Sequence, residues 1–320
     1  MANRAIASAS NRKRTSTSLI ALAVLVAACG KDDREPTARP ARERPLVYTT
    51  FFPTTYWTKR IGGDLVDVVC PLPADEDPIF WQPSPDVVRA YQGADLIVQN
   101  GAGLEKWVEA VSLPQWRTVV TARAFEGEWL HYQTAFRHNH GDQGAHDHEG
   151  LDGHTWLDPV LAKLQANEIL KALVRLLPRE SAALTSRYDA LAKDLDALDA
   201  EFRALGKGPE GFFYVSHPAY NYVIKRYRWP AWRVRNLPDL DPQALPDENE
   251  LRTLLRAIER RVDPCRGILW ESEPAPAVSA AFAEAGLKSV VFDPLESANP
   301  GTDYIAKMRE NIARLKPAFE

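Results

Sequence analysis

The sequence predicts an α/β protein of two similar parallel-sheet lobes joined by a long rigid linking helix, with a cleft between the lobes. Three observations predict it. Short apolar runs alternate with helix-like segments from Leu46 to Leu315, the pattern of βαβ units and parallel sheets. Near the middle, Leu184, Tyr188, Leu191, Leu195, Leu198, Phe202 and Leu205 repeat at spacings of four and three, the seam of one long helix packed across both lobes. His154, His217 and Asp293 each fall beside a predicted strand, loop or helix end, on the edge where open parallel sheets bind ligands.

Taken in order, residues 46–52 (LVYTTFF) form the first strand and 53–61 a helix that stops at Gly62-Gly63. Strands follow at 66–70, 94–99 and 118–121, with helices at 86–92 and 104–111. Pro159 opens a helix to residue 177, proline being favoured at a first helical position. The linking helix comes next. Beyond Gly206 the alternation resumes with strands at 211–216, 233–237, 267–271 and 289–293. Helices are expected through residue 227, at 249–262 and 277–285, and finally at 303–315. Four strands thus precede the linking helix and four follow it. The expected organisation is a leader at 1–29, a tether at 30–44, a first lobe at 45–158, a helical region at 159–207 and a second lobe at 208–320.

Arg4, Arg12, Lys13 and Arg14 precede the apolar run Leu19 to Ala28. That run is shorter than the roughly 20 residues needed to span a bilayer, but it suits a secretory signal. It ends in Val26-Ala27-Ala28-Cys29-Gly30, which looks like a bacterial lipobox with Cys29 as the lipidated residue; the alternative is a plain signal peptide. Residues 30–44 are charged and proline-containing, as a tether is. Cys70 and Cys265 lie beside predicted strands and are expected as two small buried residues, with no pairing assignable from sequence. A net charge of −4 gives no reason to expect nucleic acid or an acidic membrane as partner.

The most informative stretch is His138 to Pro159, HNHGDQGAHDHEGLDGHTWLDP, which holds five of the seven histidines. Its first part, with His138, His140, His146 and His148, is too polar to build a core and is expected as a mobile surface loop. Imidazoles at this density suit a borderline-soft divalent metal; the competing reading is an accidental polar linker. His154 stands apart at the rigid edge, against Trp156 and an Asp-Pro helix start. Two imidazoles and a carboxylate, His154, His217 and Asp293, form a reasonable set for zinc or manganese.

GHTWLDP, YVSHPAYNYVIKRY, VVFDPL…GTDYIAKMRENI and ADLIVQNG…LEKW resemble signature segments of the metal-receptor lipoprotein family of ABC importers. The resemblance covers nearly all of Leu46 to Leu315. It implies two lobes with a linking helix, and metal held by His154 from the first lobe and by His217 and Asp293 from the second. The family usually adds a first-lobe histidine in a DPHxYEPxP segment. Here that segment reads DPIFWQPSP from Asp77, and Ile79 cannot coordinate. Glu76 or Asp77 can substitute, water can fill the place, or the site has three protein ligands; a carboxylate there shifts preference towards manganese or iron. Glu271 and Glu273 are candidates to orient a ligand histidine, and Trp81 and Trp156 to pack the cleft wall.

The resulting expectation is an extracytoplasmic, lipid-anchored monomer. It captures Zn²⁺, with Mn²⁺ or Fe²⁺ as alternatives, and passes it to an ABC permease. The loop histidines gather metal for His154, and binding weakens as pH falls through about 6, where free imidazole protonates. A zinc-dependent hydrolase is the first competing class, but the chain has no HExxH and no glutamate beside a ligand histidine. A metal-buffering or adhesive surface lipoprotein is the second.

Overall fold

A computed structural model describes residues 43–74, 76–132, 136–139, 145–148, 150–206, 211–232, 240–297 and 301–320. The leader, Cys29 and most of the tether lie outside the described residues. In the first lobe, β1 (Leu46–Thr49), β2 (Asp67–Val69), β3 (Leu96–Gln99) and β4 (Thr118–Val120) form a parallel sheet in the order β2-β1-β3-β4. Val47 sits at its centre, opposite Val68 on one side and Leu96 on the other. The helices α1 (Phe52–Gly62) and α2 (Pro85–Gln92) connect these strands. The segment 104–111, expected as a helix, is a short 3₁₀ turn at Lys106–Ala110.

The second lobe repeats this plan. Its strands are β7 (Phe212–Val215), β8 (Ala231–Trp232), β9 (Cys265–Trp270) and β10 (Ser289–Val291), in the order β10-β9-β7-β8. Read from either end, both sheets place their first strand beside their third, and the strand order reverses there. The described residues put the second strand of this lobe at Ala231–Trp232, whereas the expected strand at 233–237 lies outside them. The helices α5 (Asn221–Tyr227), α6 (Glu248–Glu259) and α7 (Pro276–Glu284) connect the strands, and α8 (Tyr304–Phe319) closes the chain. Asp247 caps α6 in a reciprocal arrangement with Glu250.

Between the lobes run α3 (Pro159–Leu176) and α4 (Ser181–Ala204). Asp158 caps α3 by accepting the amides of Val160 and Leu161 at 2.9 and 3.4 Å. The α4 seam buries Leu184, Leu191, Leu195, Leu198 and Phe202. Toward the first lobe, Arg60 of α1 donates to Asp194 at 2.7 Å. Toward the second, Arg309 of α8 donates to Glu201 at 3.0 Å, and Phe202 stacks on Tyr227 at 5.2 Å. One apolar core is continuous from Val47 and Trp57 through α3 and α4 to Phe213, Phe292 and Met308, which makes α4 the strut that its spacing predicted.

Two expectations are corrected. Part of the histidine-rich segment is a β-hairpin: β5 (Phe136–Asn139) pairs antiparallel with β6 (Ala145–His148), with His138 opposite His146 and Phe136 opposite His148. His140 lies outside the described residues. Cys70 and Cys265 are free thiols, but half-buried rather than core residues, and burial pushes both thiols up from their ordinary range.

Candidate metal centre

In each lobe the strand order reverses between the first and third strands, which is where open α/β sheets receive ligands. In the second lobe this point carries His217, two residues past β7, and Glu271, the residue after β9. His217 is 3% exposed, and its Nδ1 lies 3.7 Å from Glu271 Oε2.

In the first lobe the equivalent point carries scaffolding. Glu105 is buried, and its carboxylate accepts from Thr50 Oγ1 at 2.6 Å, Asn100 N at 2.6 Å and Gly101 N at 3.0 Å. Burial raises the Glu105 carboxyl despite these bonds. Asn100 then donates from Nδ2 to the Gly153 carbonyl at 2.9 Å and accepts from Thr155 Oγ1 at 3.1 Å, so it grips the residues on both sides of His154. Gly153 is required by close approach: a Cβ there would stand 3.0–3.2 Å from Leu104 atoms.

His154 is wholly buried. Its Nδ1 is 2.8 Å from Asp152 Oδ1, which also accepts the His154 amide at 3.0 Å and Tyr132 Oη at 3.2 Å. The other Asp152 oxygen accepts Asn221 Nδ2 from the second lobe at 2.8 Å. His154 Nε2 faces Glu296 Oε1 at 2.8 Å. Burial disfavours the charged imidazole, but the hydrogen bonds and charges of Asp152 and Glu296 prevail and raise its pKa to about 10.

Glu296 belongs to a tight turn. Asn311 holds Asp293 by both backbone groups, at 3.0 and 2.8 Å, and Trp156 Nε1 donates to the Pro294 carbonyl at 2.6 Å. Asp293 Oδ1 accepts the Leu295 amide at 2.8 Å. Leu295 takes a left-handed backbone conformation, φ 59°, unusual for a branched residue and costing on the order of 1 kcal/mol. Beyond that strained residue, Glu296 reaches the centre.

Among the described residues, one group of histidine, cysteine and acidic side chains brings ligand atoms within 4.8 Å of one another: His154, His217 and Glu296. The two imidazole rings are 5.7 Å apart and nearly perpendicular. The carboxylate of this group is Glu296 and not the expected Asp293, whose side chain braces the turn. Burial raises the Asp293 carboxyl, partly offset by the Leu295 bond and reinforced by nearby Glu296.

The other candidates divide. Asp77 stands within electrostatic reach of Glu296 and His154; burial first, then Glu296, pushes its carboxyl up to about 7. Glu76 is half-buried in the same turn, its amide bonded to the Pro73 carbonyl at 3.3 Å. Ile79 is buried in the core. Glu273 is exposed, and its backbone carbonyl accepts Gln243 Nε2. Trp156 packs on His154 at 5.2 Å, whereas Trp81 lies in a separate first-lobe cluster with Tyr91 and Trp107. Side-chain placement of the hairpin histidines lies outside the description.

Sequence reasoning missed Asp152, Tyr132, Asn221 and Glu296. An acid two residues before a ligand histidine, and a second acid soon after Asp293, were the available signals. Chemically, two imidazoles, one with a carboxylate behind it, and a facing carboxylate make a site for a divalent transition metal.

The family model described as "Zinc-uptake complex component A periplasmic" matches residues 47–318. The high-affinity zinc uptake system protein ZnuA of Bacillus subtilis is 30% identical over 306 residues, covering 92% of this chain and 94% of that protein. The zinc-binding lipoprotein AdcA of Streptococcus pneumoniae is 28% identical over 282 residues, covering 84% of this chain. The chain spans about half the length of that relative, 55%. Among solved structures, the metal-dependent lipoprotein YcdH of Bacillus subtilis superposes with a TM-score of 0.73 at 25% identity, over 87% of this chain and all of that one.

Proposed function

The chain belongs to the family of the zinc-uptake complex component A, and from that premise we propose that it captures Zn²⁺ in the cleft between its lobes and hands it to an ABC permease. It is a receptor rather than an enzyme. The single observation that carries the reading is the convergence of His154, His217 and Glu296 from two lobes on one buried point. Asp152 orients His154 from behind and Glu271 stands behind His217, an arrangement that fixes imidazole direction in metal sites.

In this reading Asp293 holds the turn that presents Glu296, and His138, His140, His146 and His148 gather metal weakly outside the cleft. The protein works outside the cytoplasm as a monomer, tethered by lipid on Cys29. Mn²⁺ and Fe²⁺ are the alternative cargoes.

Glu296→Gln separates this site from any other. Equilibrium dialysis of Zn²⁺ against the metal-stripped chain is expected to show one tight site, weakened about 100-fold or more by that change, since a four-ligand zinc site totals about 10–16 kcal/mol. Unchanged affinity in Glu296→Gln would refute the cleft as the binding site.

A further inference from the structure

Three side chains of α5 cross from the second lobe to the first-lobe segment 152–158, which carries His154. Asn221 donates to the Asp152 carboxylate at 2.8 Å, Tyr222 to the Asp152 carbonyl at 3.0 Å, and Arg226 to the Asp158 carboxylate at 2.6 Å. We propose that Tyr222 and Arg226 are positioning residues for His154, so that the second lobe sets the direction of a first-lobe ligand and pairs it with His217. This rests on the cleft reading above and adds how the two imidazoles are kept in register.

The tyrosine makes the most specific contact. His131 stands opposite Leu151 in an antiparallel bridge, which places Leu130 opposite Asp152. The Asp152 amide donates to the Leu130 carbonyl at 2.8 Å, and the Tyr132 amide donates to the Gly150 carbonyl at 3.0 Å. A hydrogen-bonded antiparallel pair exchanges a second bond, which here would run from the Leu130 amide to the Asp152 carbonyl. The Tyr222 hydroxyl occupies that place: it accepts the Leu130 amide at 3.0 Å and donates to the Asp152 carbonyl at 3.0 Å. A second-lobe side chain thus completes a first-lobe ladder. It fixes the spacing of the two strands at the residue whose carboxylate holds His154 Nδ1. Tyr222 is buried, so an unmade bond there is costly.

At the other end of the segment, Arg226 Nε pairs with Asp158, a buried carboxylate that also caps α3. A buried ion pair resists separation, because losing one partner strands the other charge. Both ends of the His154 segment are therefore held by α5. That helix starts at Asn221, four residues after His217, and Asn221 Nδ2 donates as well to the Pro218 carbonyl at 3.0 Å. One amide thus links the residue after His217 to the carboxylate behind His154, and the two rings stand 5.7 Å apart. Through these bonds α5 assembles the imidazole pair from protein contacts alone.

Tyr222→Phe tests this, because phenylalanine keeps the ring and removes only the hydroxyl. The metal-stripped chain would be titrated with Zn²⁺ against a competing chelator, and the visible spectrum of the Co²⁺ form recorded, beside Glu296→Gln. The melting temperature of each metal-free chain would be measured too. The expected result for Tyr222→Phe is Zn²⁺ affinity lower by about tenfold and displaced Co²⁺ bands, which report ligand geometry. A tyrosine that merely braces the fold would lower the melting temperature and leave affinity and spectrum alone. Affinity within twofold of the parent and an unchanged Co²⁺ spectrum would therefore overturn the proposal. If Glu296→Gln alone weakens binding, only the positioning role falls; if neither change weakens it, the cleft reading falls as well. Should Tyr222→Phe fail to fold, Arg226→Lys decides, since lysine keeps a cation beside Asp158 without the fixed guanidinium geometry. A shifted Co²⁺ spectrum then supports positioning by α5, and an unchanged one contradicts it.

Discussion

The two lobes share a strand order but use their equivalent edges differently. In the second lobe the point where strand order reverses carries His217 and Glu271 directly. In the first lobe the same point is filled by Glu105, Thr50 and Asn100, and the proposed ligand His154 arrives on a later loop that this network grips. One edge supplies a proposed ligand; the other supplies a clamp for one. The difference teaches that topology marks where a site forms, whereas buried polar bonds decide which residue occupies it.

The largest effect should come from breaking the clamp. Glu105→Ala leaves the Asn100 and Gly101 amides without their acceptor in a buried place, and should cost about 3 kcal/mol of stability. Urea unfolding of the metal-free chain measures this, and a loss below 1 kcal/mol would mean that the first-lobe edge is not held by this network. Asp152→Ala sharpens the same point at the ligand itself. Removing a carboxylate that orients a ligand histidine typically costs 10–100-fold in metal affinity, and Zn²⁺ titration should show a loss of about that size.

Much of this was legible in the chain. The strand and helix alternation, the α4 seam and the positions of His154 and His217 follow from periodicity and from flanking strand ends. The carboxylate was legible only to its neighbourhood. Asp293 sits where a strand ends, but the left-handed turn at Leu295 carries the chain on and presents Glu296 instead. Backbone reversal at a branched residue leaves no compositional trace, because propensity argues against it. Asp152 was hidden for a different reason: in a segment crowded with polar residues, nothing distinguishes a buried acid from an exposed one. The pairing of residues 136–139 with 145–148 was hidden by the same polarity.

Next in size is the pH dependence. Asp152 and Glu296 raise His154 to about 10 in the metal-free protein, so its proton must leave when metal binds. A raised pKa stabilises the folded metal-free chain fully below the ordinary imidazole value of 6.5, and that stabilisation is lost as pH rises through about 10. Zn²⁺ affinity runs the other way, rising by about tenfold per pH unit across this window for one released proton. The window near pH 6 expected from an ordinary imidazole is therefore replaced by a higher one. Calorimetry at pH 7.5 in buffers of different ionisation enthalpy should report about one proton released from His154, and no proton release would contradict the arrangement.

The smallest effect probes the bond between the lobes. Asn221→Ala removes the second-lobe donor to Asp152, worth about 1 kcal/mol. It should shorten Zn²⁺ residence several-fold in stopped-flow chelator competition and lower the stability of the metal-free chain by no more than about 1 kcal/mol. An unaltered off-rate would mean that the Asn221 contact does not slow metal release, leaving the Tyr222 bond to the Asp152 carbonyl as the second lobe's hold on this residue.

The central claim is that one buried cleft, rather than the histidine-rich hairpin, holds the metal. Isothermal titration of the metal-stripped chain starting after Cys29 tests it most directly, comparing the parent with His217→Ala and with a deletion of residues 138–148. One tight Zn²⁺ site lost in His217→Ala and kept in the deletion is the predicted result. Tight binding that survives His217→Ala and disappears with the hairpin would contradict it.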